Sequence, residues 1–225
     1  MSFDRRTRIE QMRNADRARD RRNRVLVIGL SVVVVAGLVG VGTSVLLDKS
    51  EAADKEQAAA AQDAKAAATD KEKLASEPIK GLKTWDAKKL TRNHVTATVT
   101  YPMKPPVGGD HSPVWMNCDG EVYKKAIPDM SAVHSLEHGS VWVTYTDKAS
   151  AADVAALAKR VGKTPYSLMS PYQDQAGTIT LSAWGNQVTV DSATDRRVDQ
   201  FFAKFVQGAQ TPEPGAACTG GLGAQ

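Results

Sequence analysis

From residue 82 onward the apolar and polar positions follow short periods that predict a small α+β domain. His94-Val-Thr-Ala-Thr-Val-Thr-Tyr101 alternates with period two. Val95, Ala97, Val99 and Tyr101 would share one face of a strand, and His94 would share the other with Thr96, Thr98 and Thr100. Pro102 to Pro113 is too rich in Pro and Gly for a regular element and reads as a long irregular loop. Ser140 to Thr146 is β-branched and aromatic, a second strand. Ser150, with Asp153 three residues on, opens a helix that runs to Arg160 and stops at Gly162. Thr178 to Trp184 predicts a third strand, which Gly185-Asn186 turns tightly into Gln187–Val190. Ser192 is the expected cap of a last helix, on which Val198, Phe201, Phe202, Phe205 and Val206 form a stripe at helical spacing. Strands and helices without regular alternation favour a mostly antiparallel sheet with packed helices.

The pattern upstream differs. Residues 25–47 form an uncharged run rich in Val, Leu and Gly. At 1.5 Å per residue such a helix reaches roughly 34 Å, enough to cross a bilayer core. A cleaved signal peptide is the competing reading, but the run ends in Val-Leu-Leu-Asp-Lys instead of a small-residue cleavage pattern. Residues 1–24 carry nine arginines against four acids. That bias should hold the N-terminus on the cytoplasmic side and place the rest of the chain outside. Residues 48–81, built from Ala and charged residues with no apolar seam, read as a solvated spacer. The expected organisation is a basic arm (1–24), a membrane span (25–47), a spacer (48–81) and an extracytoplasmic domain (82–225).

Charge adds one exclusion. The chain is net +4, but residues 82–225 hold fourteen bases and thirteen acids, so the main domain lacks the excess expected of a nucleic-acid binder. The expected partners are the membrane, a metal ion and an unspecified protein.

Both cysteines, Cys118 and Cys218, fall in the exported part. An even count in an oxidising compartment favours one disulfide tying the Gly-rich tail back towards the loop. Closing a span of a hundred residues would stabilise by roughly 4.7 kcal/mol in the chain-entropy account. The rival is Cys118 as a thiolate ligand, seven residues after His111.

All four histidines lie between positions 94 and 138. On a helix, Met130, His134 and His138 project from one face. Imidazoles with a thioether suit copper, Cu(I) above all, whereas an all-imidazole set fits zinc or copper. His94, His111, His134 and His138 are therefore candidate metal ligands, with Met130 and Met169 as candidate soft donors. His134-Ser-Leu-Glu137-His138 also spells H-x-x-E-H, in which two imidazoles hold zinc and the Glu acts as base. Gly139 follows at once and a strand begins by Val141, so the helix is short for such an enzyme. Glu137 then reads as a carboxylate supporting the ligands from behind. The plainer alternative makes these residues structural, in a partner-binding ectodomain that exposes Trp115, Tyr123 and Tyr172.

One resemblance ties these blocks together. Tyr101-Pro-x-x-Pro-Pro-x-x-Gly-x-His111-x-Pro-x-Trp115-x-x-Cys118, followed by Val133-His-Ser-Leu-Glu-His-Gly139, resembles a bacterial family known as a domain of unknown function, number three-one-zero-five. Leu168–Tyr172, Leu181–Gly185 and Pro214–Thr219 are similar to its later blocks. The resemblance covers roughly residues 85–220 and implies the layout of anchor, spacer and domain, with no established reaction. Asp119 stands where Gly directly after the cysteine is expected. Taken together, the sequence predicts a membrane-anchored extracytoplasmic domain that binds a transition metal, copper before zinc, with copper handling as its role. Partner binding comes second and a zinc hydrolase third.

Overall fold

A computed structural model describes residues 47–223. It divides into two compact units at Ala68/Thr69. The predicted span lies outside the described residues except for Leu47, and the basic arm lies wholly outside them. Among the described residues no helix is long and apolar enough to cross a membrane. The spacer is helical: α1 is Leu47–Ser76, and its residues 57–73 are exposed, as expected of a helix without an apolar face.

The second unit is built on one six-stranded sheet. In chain order the elements are β1 (Lys83–Thr84), a 3₁₀ turn (Ala87–Lys89), β2 (Asp119–Val122) and α2 (Asp129–Glu137). They continue with β3 (Val141–Tyr145), α3 (Ala151–Val161), β4 (Ser167–Pro171), β5 (Ile179–Ala183), β6 (Asn186–Val190) and α4 (Arg196–Phe205). The strand order is β1-β6-β5-β3-β4-β2. The α+β class holds, but the sheet is mixed and not mostly antiparallel. β1/β6, β6/β5 and β5/β3 are antiparallel, whereas β3/β4 and β4/β2 are parallel. The cause is α3, which carries the chain from the end of β3 back to the start of β4 and so makes the two strands parallel.

Alternation along the strands sorts the core into two layers. Val141 and Val143 of β3, Met169 of β4, Ile179 and Leu181 of β5, and Val188 and Val190 of β6 pack under α3 and α4. The stripe on α4 supplies Val198, Phe201, Phe202 and Phe205 to that layer. Its cap is Asp195, which accepts from the Arg197 amide, and not Ser192. Ser150 caps α3 as expected, accepting from the Asp153 amide. The opposite face carries Trp142, Leu168 and Trp184, covered by Ala132, Val133 and Leu136 of α2 and by the Pro-Gly loop. On this face the Trp142 indole donates to Ser170 Oγ at 3.0 Å. The functional residues lie on this side.

The alternating segment 94–101 does not form a strand. Ala97 is exposed and Val95 and Val99 are only half-buried, too little apolar area to hold a strand against the sheet. Instead His94 makes a single parallel bridge to His111. Cys118 and Cys218 are joined in a disulfide across a separation of 100 residues. The additional residue after Cys118 is absorbed as a bulge between Asp119 and Glu121, where Gly120 takes a φ of 87°.

Candidate metal centre

Two pieces of backbone bring the site together. In the bridge, the Val95 amide donates to His111 O at 2.8 Å and the His111 amide to Asn93 O at 3.0 Å, so both imidazoles arrive side by side. Facing them is α2, whose residues 131–137 are all buried. A helix aligns positions i and i+3, so α2 presents His134 and Glu137 to the pair. Gly139, at φ 91°, then turns the chain into β3 two residues later.

His94, His111, His134 and Glu137 each bring one ligand atom to a cluster in which all four lie within 4.8 Å of one another. The His94 and His134 rings stack at 4.6 Å, and His111 lies 4.8 Å from His94 and 5.0 Å from His134. His111 is wholly buried, and His134 and Glu137 are 2% exposed. The side chain of His94, 19% exposed, is the one edge of the cluster that reaches solvent.

Counting protons shows what this arrangement calls for. His111 Nδ1 lies 2.8 Å from Gly109 O and His134 Nδ1 lies 2.7 Å from Ser112 O. A carbonyl oxygen only accepts, so each Nδ1 carries a hydrogen, and in a neutral ring the lone pair is then left to Nε2. Yet His111 Nε2 is 3.0 Å from Glu137 Oε2, and His94 Nε2 is 3.6 Å from the same oxygen. A lone pair facing a carboxylate at that distance is repulsive unless a proton or a metal cation sits there. The outward Nδ1–H bonds are the arrangement that orients metal-binding imidazoles.

Electrostatics points the same way. Burial pushes Glu137 up, but hydrogen bonds to His111 and His94 outweigh it and hold its carboxyl well below the usual carboxylate range. Burial pushes His134 down to about 3, aided by neighbouring imidazoles, and His138 down to about 4. Both are neutral near pH 7, the form that binds metal. Three imidazoles and one carboxylate can hold a divalent transition metal.

The expected residues therefore divide. His94, His111 and His134 come together, and Glu137, expected behind the ligands, brings its own oxygen to the cluster. The signal for it was its i+3 spacing from His134. His138 stacks edge-on to His134 at 4.6 Å but belongs outside the four-residue group, and its Nδ1 donates to Ala217 O at 2.7 Å. The H-x-x-E-H pair is thus not a pair at one ion, and Glu137 faces imidazoles where a general base would face water. Met169 is excluded as a soft donor, because it is fully buried in the layer under α3 and α4, across the sheet. Met130 sits half-buried one turn before His134. Cys118 is closed in the disulfide and is no thiolate ligand. Trp115, which sequence reading assigned to partner contacts, packs 5.5 Å from His134 and 5.3 Å from His138. Tyr123 is buried, its hydroxyl 2.8 Å from Asn117 O and 2.9 Å from Leu222 O.

Residues 94–220, more than half of the chain, match a family described as protein of unknown function, DUF3105. The chain belongs to the DUF3105 family. No curated protein and no solved structure matches it. The matched span of the DUF3105 domain begins at His94 and contains the whole donor cluster and both cysteines.

Proposed function

We propose that this DUF3105 protein is a membrane-anchored, extracytoplasmic domain that binds one divalent transition metal through His94, His111, His134 and Glu137. The observation that carries the reading is His111 Nε2 held 3.0 Å from a buried carboxylate oxygen while its Nδ1–H is committed to Gly109 O, a contact that needs a proton or a cation between the two atoms. The uncharged run at 25–47, flanked by arginines, supports the anchor and the orientation.

Zinc is the first choice of ion and Cu(II) the second. Cu(I) called for thioether donors; of the two candidates Met169 lies across the sheet, which leaves Met130 alone beside a donor set that is otherwise imidazole and carboxylate. Binding, and not hydrolysis, is the role: the carboxylate that a hydrolase would use as base is in the donor set. The exposed edge of His94 gives the ion one route in and out, which suits metal holding or transfer.

Calorimetric titration of the full chain in detergent, stripped of metal and given Zn(II) or Cu(II), tests this. One ion per chain with Kd below about 1 μM is expected; failure of both ions to bind that tightly would remove the proposal.

A further inference from the structure

The metal centre is fastened on one side by a segment that has no core of its own. After α4 the chain runs through residues 212–223 without a helix or strand, and includes Pro212, Pro214, Gly215, Gly220, Gly221 and Gly223. The one buried side chain in that stretch is Cys218, at 6% exposure. The disulfide is therefore its one buried side-chain anchor.

Both ends of the disulfide lead to the centre. Cys118 closes the segment that begins at His111 and includes Ser112, whose carbonyl orients His134. It also includes Trp115, which lies against the His134 and His138 rings. Cys218 follows Ala217, whose carbonyl accepts from His138 Nδ1. Between the two segments the Cys118 amide donates to Cys218 O, the Asn117 amide to Leu222 O, and the Leu222 amide to Trp115 O, each at 2.8 Å. Further back, the Glu213 amide donates at 3.0 Å to the carbonyl of Glu137. The tail thus clasps the C-terminal end of α2 and the segment from Trp115 to Cys118, with Cys218 its one buried side chain.

We propose that the Cys118–Cys218 disulfide is a redox latch on the metal centre, opened by a dithiol reductant to weaken the hold on the ion. This rests on the metal reading above. Cys118 is fully buried, whereas Cys218 is slightly exposed and is followed by exposed Thr219 and Gly220. A thiolate of the reductant attacks Cys218 Sγ, the Cys118–Cys218 bond breaks, and Cys118 leaves with the electron pair and takes a proton. The second thiol of the reductant attacks the mixed disulfide, frees Cys218 as a thiol and leaves the reductant oxidised. Residues 212–223 then lose their covalent anchor, which loosens the Ala217 carbonyl from His138 and the tail from Trp115. Binding equilibria are reciprocal, so an ion in the centre must in turn stabilise the closed latch.

The test uses the full chain and starts with Zn(II) alone. Zinc affinity, read by chelator competition, is compared between oxidised wild type and the double variant Cys118→Ser/Cys218→Ser, with circular dichroism as the check on folding. The rate at which thiols appear under a water-soluble phosphine is measured with and without zinc. Expected are about tenfold weaker binding in the double variant and reduction several-fold slower with zinc bound. Equal affinity in a folded variant overturns the latch alone, as does a reduction rate indifferent to zinc; the latter decides if the variant does not fold. If the oxidised wild type binds no zinc, the comparison is made with Cu(II), and absence of binding by both ions overturns the latch and the metal reading together. A merely structural disulfide would lower thermal stability without moving zinc affinity.

Discussion

Replacing Glu137 by Gln is expected to weaken metal binding by roughly 100-fold or more while lowering the stability of the metal-free protein far less. The two effects differ in size because the substitution removes the charge and keeps the shape. The substitution keeps the shape of a side chain that is 2% exposed, so packing is unchanged. It removes the negative charge that draws a cation into the cluster. It also supplies an N–H donor that can replace the hydrogen bond with His111 Nε2, 3.0 Å from the carboxylate oxygen. Without metal, wild type must hold a proton between these groups, and the amide removes that need. Chelator competition for affinity and thermal unfolding of the stripped protein check the pair. A loss of affinity accompanied by an equal loss of stability would assign Glu137 a structural role.

The second large effect is an asymmetry between two histidines that sequence spacing makes equivalent. His134→Ala is expected to reduce affinity more than 100-fold, and His138→Ala by no more than about tenfold. His134 offers Nε2 to the cluster with its Nδ1 tied to Ser112 O, whereas His138 lies outside the group and is tied to Ala217 O. Its loss would be felt only through contact with His134 and the loosened tail. Both variants leave a carbonyl acceptor unpaired, so both should unfold at lower temperature. Titration of the two variants side by side separates the effects. Equal losses of affinity would restore the H-x-x-E-H pairing.

How far the sequence could be read depended on whether a signal was local. The Ser150 cap, the Gly185 turn and the apolar stripe of α4 are written within a few residues, and each appears in the structure where it was expected, the cap of α4 aside. The disulfide was expected from an even cysteine count in a segment read as exported, and Cys118 and Cys218 are joined. Sheet direction was not local. β4 contains Ser167, Ser170 and Pro171 and has little strand character of its own; it is held because Leu168 and Met169 each have a layer to enter. Segment 94–101 shows the reverse case, a good alternation with no sheet position to fill.

The site was half legible for the same reason. Four histidines between positions 94 and 138 marked a region, but the bridge that pairs His94 with His111 depends on loop backbone that no periodicity reports. The fate of Met169 turned on parity. One residue along β4 separates the face of the metal centre from the face of α3 and α4, and Met169, paired in register with Val143, is on the latter. Glu137 could have been placed from the outset, since a residue at i+3 shares the helix face of His134 as fully as one at i+4.

X-ray absorption at the metal edge of the loaded protein tests the central claim most directly. With zinc bound, the account predicts a first shell of three imidazole nitrogens and one carboxylate oxygen at about 2.0–2.2 Å. A sulfur neighbour near 2.3 Å, or a shell with one imidazole or none, would contradict it.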